Sequence, residues 1–506
     1  MPTLTIETGT PARVTVRGRE GTWHAPEDAV RDRTADDRPG VLGMDADPTD
    51  GSAIEPGYTA HFVSGGTAEV PVPRGACTVV VERGPEHRRV ERVVDVGTGG
   101  ARVVCDPERW ADLAAEGWWS FDLHVHRPLA DAAALLRAED LHLGAFVTRW
   151  NASPPAGGDA ADGAGEPHGS GGAPRAALSV DGDRHAVAPV TEDERGGGAV
   201  LLHGVTVPDL PGTDAADWWY PPARTVVDAA RAAGAFVEAE KLTWWDVPVL
   251  MATGAPDAVG VLNNHYVPGG MLANEAWGRR RDRAAYPGPE GAGRYQLGLW
   301  YRYLGLGLRL PASAGSASGV LPAPPGYDRV YVQGPGPCTV AGFYAGLRAG
   351  RSVVTNGPLL SCTVGEAGPG DTVPAGRHRV RAVARTAAGT EGRAGPVRVE
   401  VVVDGRVAAG TDGPVLDVPL DLRGAGWVAA RARQPDPRTI RLAHTSPVHV
   451  DGPGPDADEA AEHRAFFARW IADLAAAARA DPGRLGSPAR RDEVLDLYDR
   501  AARFYR

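Results

Sequence analysis

Apolar and polar residues alternate with a period of two through the first part of the chain. Runs such as "TLTIET", "ARVTVRG", "AEVPVP" and "CTVVVERG" are separated by clusters of Gly, Pro and Asp. Such alternation places one side of each strand on a core and the other in solvent, and short strands with frequent turn residues are typical of antiparallel sandwiches. The pattern predicts a β-sandwich-like domain over residues 1–112.

The pattern changes over residues 117–360, where continuous apolar runs alternate with helical segments. Runs such as "GAVLLHGVTV", "GAFVEAE" and "VGVLNNH" alternate with amphipathic segments such as "PARTVVDAARAA". This order predicts an α/β fold with a parallel sheet, either open or closed into a barrel. Functional side chains in such folds gather at the carboxyl ends of the strands.

Three further segments complete the predicted organisation. Residues 152–178 are rich in Gly, Ala and Pro, and they predict a mobile insertion. Residues 361–452 return to strand-like alternation and predict a second β-sandwich-like domain. Residues 456–506 predict a helical tail, because Phe466, Trp470 and Leu474 recur at helical spacing and Ser487-Pro488 is a helix start. The apolar face of this tail should dock on the core.

Composition narrows the range of partners. The 506 residues carry 53 basic and 64 acidic side chains, for a formal charge of −11. This balance argues against nucleic acid or an anionic membrane, because both are bound through clustered positive charge. No apolar run approaches the ~18 residues of a membrane span, and the first ten residues lack the features of a signal peptide. We expect a cytoplasmic protein, and its oligomeric state stays open.

Two histidines stand one residue apart in the stretch "GWWSFDLHVHRP", residues 117–128. Period-two alternation places Phe121, Leu123 and Val125 on one face of a strand, and His124 and His126 on the other. The polar face can therefore hold a cation. A His-x-His pair also arises by chance, so the interpretation needs partners elsewhere in the chain.

Other strand ends supply such partners. "PVTEDERGG" places Glu192 and two further acids just before a strand, and "VGVLNNHY" ends in His265. "GAFVEAEKLTWWD" places Glu238 and Glu240 on one face and Lys241 directly after them. Lys241 is the only lysine beside 52 arginines, so a role that arginine cannot fill is one explanation for it, and chance survival is the other.

These motifs resemble a known family. "FDLHVH" is similar to the first motif of the PHP (polymerase and histidinol phosphatase) superfamily. "WWSFDLHVHRP", "EKLTWWDVP", "NNHY" and "GLRAGRSVVTNGPLL" resemble, in order, its CehA/McbA-type metallohydrolases over roughly residues 117–360. The resemblance implies a distorted PHP-type (β/α)7 barrel, here flanked by the two sandwich-like domains. It also implies a divalent metal centre that hydrolyses phosphate esters or, in this branch, carbamate and related ester or amide bonds.

The same resemblance suggests the metal ligands. It assigns this role to His124, His126, Glu192, Glu240 and His265. Where the family's second motif has Asp and His, this chain has Arg149-Trp150, and the last motif has likewise lost its Asp and His in "GSASG". We therefore expect one or two metal ions, of Zn²⁺, Mn²⁺ or Fe²⁺, because mixed imidazole and carboxylate ligands suit these ions.

The remaining assignments concern catalysis and substrate binding. Lys241 is expected to stabilise the oxyanion or to protonate the leaving group, and Glu238, or Glu240 if it is not a ligand, to accept a proton. Arg149 offers a forked donor to an anionic group. The other side chains expected to contact a small-molecule substrate are Trp150, Trp245, Tyr266 and Asn356.

The predicted function is therefore that of a metal-dependent hydrolase of an amide, carbamate or ester bond. Two alternatives stay open at this point. One is a metal-dependent phosphoesterase, and the other is a PHP-like binding or scaffold protein without catalysis.

Overall fold

The computed structural model describes residues 1–32, 60–150, 177–205, 218–275, 278–334, 336–387, 397–436, 439–452, 454, 457–481 and 483–506. Of the predicted insertion over residues 152–178, all but the last two residues lie outside these ranges. The described chain is a mixed α/β structure rich in sheet. No helix in the described ranges is both long and apolar enough to cross a membrane.

The first region is built from short strands with alternating burial. They are β1 (Thr3–Glu7), β2 (Ala12–Gly18), β3 (Trp23–His24), β4 (Arg31–Asp32), β5 (His61–Ser64), β6 (Thr67–Pro71), β7 (Gly75–Glu82), β8 (Val90–Val96) and β9 (Ala101–Val104). One sheet has the order β6-β1-β9, and the other has the order β4-β5-β2-β7-β8 with β3 beside β2. Leu4 and Ile6 from the first sheet and Val14 and Val79 from the second belong to one apolar core. Two sheets on a shared core are the arrangement that the alternation predicts.

The middle region carries the longest continuous sheet. Its strands are β10 (Trp118–Val125), β11 (Leu143–Trp150), β12 (Leu178–Asp181), β13 (Arg184–Arg195), β14 (Gly198–His203), β15 (Phe236–Ala239), β16 (Ala258–Leu262), β17 (Tyr266–Val267), β18 (Gly270–Met271), β19 (Ala312–Ala314), β20 (Arg329–Gln333) and β21 (Ser352–Thr355). The helices are α1 (Ala132–Ala138), preceded by a 3-10 turn (Leu129–Asp131), then α2 (Ala223–Ala232), α3 (Val247–Gly254), α4 (Gly288–Gly305) and α5 (Val340–Arg348). The sheet follows the order β19-β16-β15-β14-β13-β11-β10-β20-β21.

This sheet is mixed, which corrects the expectation of a parallel one. Neighbours β10, β11 and β13 are parallel, and so are β15, β16 and β19. In contrast, β14 is antiparallel to both β13 and β15. A tight turn at Gly196-Gly197 joins β13 to β14, and a Cβ atom at either glycine would lie 2.3 Å from Trp219 or Asp246. The turn leaves no room for a crossover helix, so β14 returns antiparallel.

The C-terminal strands continue the same hydrogen-bonded sheet. They are β22 (Leu359–Val364), β23 (Thr372–Pro374), β24 (Arg377–Arg385), β25 (Arg398–Val403), β26 (Arg406–Asp412), β27 (Val415–Asp421), β28 (Trp427–Gln434), β29 (Arg441–Thr445) and β30 (Val448–Asp451). From β21 the order runs on through β29-β28-β25-β26, and β22-β24-β27 form a second sheet. Val380 and Val401 of the two sheets share one core. The two C-terminal sheets therefore share one core, and the ladder between β21 and β29 joins one of them to the middle region without a break.

Two helices end the chain and pack on the middle region, as the apolar periodicity predicts. They are α6 (Ala457–Ala480) and α7 (Pro488–Phe504). Ser487 accepts a hydrogen bond from the Arg490 backbone at 3.3 Å, so it caps α7 at the predicted start. Phe467 and Trp470 are fully buried in the main core, and the Tyr505 hydroxyl donates to the Pro248 carbonyl of α3 at 2.8 Å.

A buried carboxylate joins the first and middle regions. Asp140, after α1, contacts Arg184 of β13 at 2.6 Å and Arg83 at 3.2 Å, and it also accepts from Arg109. Burial alone would raise the pKa of Asp140, but the charges of Arg109 and Arg83 hold that pKa well below its usual range. The residue has a φ of +48°, a conformation that Asn also tolerates.

Substituting Asp140→Asn tests this contact. The variant keeps the backbone conformation but leaves three guanidinium groups without their shared charge, so we expect a loss of about 3–5 kcal/mol in the free energy of unfolding at pH 7. A carboxylate whose pKa is lower in the folded than in the unfolded state contributes its full stabilisation only above the pKa of the unfolded chain, ~3.9. Urea titrations should therefore show a constant gap between wild type and variant from pH 8 to about 5, shrinking below about 4. Asp417→Asn, an exposed ion-pair variant in β27, is the control. Equal losses in both variants would contradict the prediction.

Candidate metal centre

Two imidazoles and one carboxylate converge at the carboxyl ends of β10 and β13. The Nε2 atoms of His124 and His126 lie 2.8 Å apart. Glu192 Oε2 lies 3.2 Å from the first and 2.9 Å from the second. His124 and Glu192 are buried, and His126 is nearly so. Glu192 lies inside β13 and not before a strand, so its backbone is held by the ladders on both sides.

The loop after β19 fixes the end of β10. The carboxylate of Asp122 accepts from the backbone N–H of His124 at 3.0 Å, and from the backbone and hydroxyl of Ser316 at 3.1 and 2.5 Å. Gly315 lies so close that a Cβ atom there would be 2.5 Å from His124 Cβ. The backbone N–H of His126 donates to Ser318 at 2.8 Å. The "GSASG" segment therefore positions both histidines.

The three converging atoms fit a metal ion. Metal–ligand bonds of about 2.0–2.2 Å place neighbouring ligand atoms roughly 2.9–3.5 Å apart, close to the distances found here. Burial alone would lower the pKa of His124, but the charge and hydrogen bond of Glu192, together with the charge of Glu240, raise it to about 9. Burial lowers the pKa of His126. The group His124, His126 and Glu192 can therefore hold a metal ion, with a positive charge favoured at its centre.

Glu240 lies beside this group, but its carboxylate is bound by Lys241. Lys241 Nζ lies 2.8 Å from both carboxylate oxygens, and the indole N–H of Trp244 donates to one of them at 3.1 Å. Lys241 also lies 4.6 Å from the centre of the Trp244 ring. Glu240 Oε1 is 3.7 Å from Nδ1 of His124, the ring nitrogen that faces away from the cluster. This separation is too long for a hydrogen bond, and Glu240 is not among the three converging side chains, so its assignment as a metal ligand stays a prediction.

Glu194 was not assigned a role from sequence, yet it belongs to the site. Its side chain alternates with that of Asp193 and lies on the face of Glu192, and it accepts from Trp150 Nε1 at 2.9 Å. Burial and the charges of Glu192 and Glu240 raise the pKa of Glu194 to about 8, although Lys241 acts in the opposite direction. The sequence could have identified Glu194 through its position two residues after Glu192, because this spacing places both side chains on one face of a strand.

Trp150 lies at the site as expected, whereas Arg149 does not. Trp150 pairs with Glu192 across β11 and β13, and its ring lies 5.0 Å from that of His126. Arg149 precedes Trp150 in β11, so its side chain lies on the opposite face of that strand. There the charges of Asp193 and Arg195 act on its guanidinium. A register irregularity between Val147 and Arg149 decides which residue faces the cluster. The structure therefore places Arg149 near Asp193 and Arg195, and its contact with a substrate stays a prediction.

Glu238 and His265 also differ from their expected places. Glu238 accepts a hydrogen bond from Ser313, and its other oxygen lies 3.8 Å from His203. Glu238 is not part of the converging group, and its role as a catalytic base stays a prediction. His265 is buried outside the converging group, and burial and the charge of Lys241 lower its pKa well below the usual value.

The remaining predicted substrate contacts are engaged in packing. Trp245 packs edge-on against Trp470 of the tail, with ring centres 6.2 Å apart. Tyr266 is completely buried in the main core. The side-chain amide of Asn356 donates to the Ile440 carbonyl at 3.0 Å and accepts from the Leu442 backbone at 2.8 Å. These contacts give all three side chains a structural role, and none of them joins the metal centre.

Metal analysis of purified protein tests the centre. After expression with Zn and Mn we expect about one transition-metal ion per chain, and His126→Ala should retain almost none, because one of three converging ligands is lost. His378→Ala is the matched control, since His378 is remote in sequence and bonds only a local carbonyl. Metal-free wild-type protein, or unchanged content in His126→Ala, would refute the centre.

Comparisons with known proteins found no match for this chain. No protein-family model, curated protein or solved structure matches the chain. The function is therefore argued from the side chains and their geometry.

Proposed function

We propose that the protein is a metal-dependent hydrolase of the PHP type, acting on an amide, carbamate or ester bond in a small molecule. The observation that carries the proposal is the convergence of His124, His126 and Glu192 at one point in the interior. The motifs shared with CehA/McbA-type enzymes suggest the reaction. The acidic charge of the chain agrees with a small substrate and not with nucleic acid.

The strand arrangement supports a distorted barrel. The sheet path begins at β19, and β19 also lies beside β10 and β21. An isolated parallel bridge joins Val125 at the end of β10 to Ser318 in the loop after β19. These contacts bring the two ends of the middle sheet together, and closure of the sheet is part of the proposal.

The contacts of Lys241 favour one metal ion over two. A second ion would need ligands from Glu240 and His265, but Lys241 already neutralises Glu240 through both oxygens. The same ammonium disfavours positive charge near His265. Lys241 thus supplies the second positive charge of the site.

The chemistry divides between a bound metal ion and the side chains around it. A divalent ion held by His124, His126 and Glu192 would lower the pKa of a bound water molecule and polarise the scissile carbonyl. The Glu240 carboxylate, 3.7 Å from Nδ1 of His124, is our candidate to accept the proton of the attacking water. Lys241 Nζ can donate a proton to the leaving atom, and the Trp150 ring forms a wall beside His126.

Phosphoester hydrolysis and non-catalytic binding are the competing functions. Phosphate monoester cleavage draws on several cations to neutralise charge, and the described residues contain one group able to hold an ion. A binding protein would keep the barrel without needing the buried pair of Glu240 and Lys241. Neither alternative explains the site as well.

Activity assays separate these functions. Metal-loaded protein should hydrolyse nitrophenyl esters or carbamates, and a chelator should lower the rate by about tenfold or more, because the bound ion activates the water. Restoring the metal should restore the rate. Chelator-sensitive cleavage of nitrophenyl phosphate alone would establish the phosphoesterase, and inactivity on every chromogen with metal bound would favour a binding protein.

Glu240 and Glu238 form a matched pair for testing the catalytic assignment. Glu240→Gln should lower kcat/KM by about 10²–10⁴-fold while most of the metal is retained, because a proton acceptor is lost. Glu238→Gln, two residues away on the same strand, should leave kcat/KM within about tenfold of wild type. Parallel measurements of metal content and kinetics decide the point. A larger loss in Glu238→Gln would restore the assignment made from sequence.

A further inference from the structure

The indole ring of Trp244 contacts both members of the buried ion pair beside the metal centre. Its N–H donates to Oε2 of Glu240 at 3.1 Å, and the centre of the ring lies 4.6 Å from Nζ of Lys241. At most 5% of each of these three residues is exposed. A hydrogen bond to a charged acceptor is stronger than one between neutral groups, and it is stronger still away from water. Trp244 can therefore influence how this pair is arranged.

The two oxygens of the Glu240 carboxylate have different surroundings. Lys241 Nζ lies 2.8 Å from each of them. Oε2 also accepts from Trp244, whereas among the described residues the ammonium is the one hydrogen-bond donor to Oε1. Each carboxylate oxygen can accept about two hydrogen bonds. Oε1 therefore keeps an acceptor position, and it is the oxygen that lies 3.7 Å from the His124 ring.

The indole restrains the carboxylate in a way that Lys241 does not. The terminal torsion of a glutamate side chain is broad, so the carboxylate can turn about its last bond. Lys241 has a flexible stem and three rotatable donors, so it can follow both oxygens as they turn. The N–H of Trp244 has one fixed direction and contacts one oxygen. Turning the carboxylate would break this bond.

The position of Trp244 is itself fixed by its neighbours. Gly198, the first residue of β14, lies so close that a Cβ atom there would be 2.3 Å from Cβ of Trp244. The φ of Gly198 is +121°, a conformation that other residues rarely adopt. The backbone of Trp244 also forms an antiparallel bridge with Gly278. The indole is thus held against the turn that follows β13, the strand of Glu192.

We propose that Trp244 is a positioning residue, which holds the Glu240 carboxylate through Oε2 so that Oε1 stays on the side of His124 with an acceptor position open. This inference rests on the function proposed above, in which Glu240 accepts a proton and Lys241 donates one. Trp244 contacts neither the metal ion nor the reacting atoms, and it acts through Glu240.

A kinetic double-mutant cycle tests this role. Trp244→Phe keeps an aromatic ring beside Lys241 and removes the N–H donor. We expect kcat on the nitrophenyl substrate to fall by about tenfold or more, with KM within about threefold and metal content unchanged, because a charge-assisted hydrogen bond is lost. In a Glu240→Gln background the same substitution should change the residual kcat by less than about twofold, because the indole acts through the carboxylate.

Trp300→Phe is the matched control for this cycle. It also removes a buried indole hydrogen bond, the one that Trp300 of α4 donates to the Leu310 carbonyl at 3.1 Å. Its kcat should stay within about twofold of wild type.

The indole N–H also gives a readout that does not depend on activity. The full chain has 13 tryptophans. In the ¹⁵N-labelled, metal-free protein, the indole resonance that is absent from Trp244→Phe should be the one that moves most in Glu240→Gln. It should stay in place in Glu238→Gln, because Glu238 bonds Ser313. If Trp244→Phe does not fold, the comparison of wild type with the two glutamate variants decides the contact.

The outcomes separate this inference from the proposed function. An unchanged kcat in Trp244→Phe, an equal loss in the Glu240→Gln background, or indole resonances that do not respond to Glu240→Gln would each overturn the role of Trp244. Wild-type protein without metal-dependent hydrolysis would instead refute the proposed function, and the catalytic role of Trp244 with it.

Discussion

Two ring nitrogens and a carboxylate oxygen approach within about 3 Å of one another inside this protein, and that crowding governs the rest of the site. Electron pairs cannot face each other at this distance in a poorly solvated interior unless a positive charge lies among them. A proton on His124 meets this need when no metal is bound, and the raised pKa of His124 reflects it. The loop held by Asp122 makes the crowding obligatory, because it fixes the backbone on both sides of His124.

The charged side chains around the cluster largely neutralise one another. The opposite charges of Glu240 and Lys241 neutralise each other, with Nζ 2.8 Å from the carboxylate. The raised pKa of Glu194, about 8, favours the protonated, neutral carboxyl at pH 7. A site arranged in this way can accept one divalent ion without gathering a large net charge. This balance gives the compact ammonium of Lys241 a defined contact in a chain whose other basic residues are arginines.

Sequence reasoning identified the three converging side chains better than it identified their neighbours. Period-two alternation placed His124 and His126 on one face, and their side chains do converge, although the β10–β11 pairing is irregular between Asp122 and Val125. It did not distinguish Arg149 from Trp150, because a register irregularity in β11 changes which residue faces inward. It also could not separate Glu238 from Glu240, since period two places both on one face, whereas their partners are Ser313 for the first and Lys241 for the second. The fold was predictable as sandwiches around an α/β region, whereas the antiparallel β14 depended on a turn too tight for a helix.

The ladder from β21 to β29 has a consequence for how the chain can be divided. Cutting near residue 361 would remove β29, one of the two partners of β21, and leave a row of unpaired N–H and C=O groups along a buried strand. Such exposed edges recruit other chains and lead to aggregation. The region with the metal centre is thus protected by its covalent neighbour, and the natural unit for expression extends through the last strands and the helices that follow them.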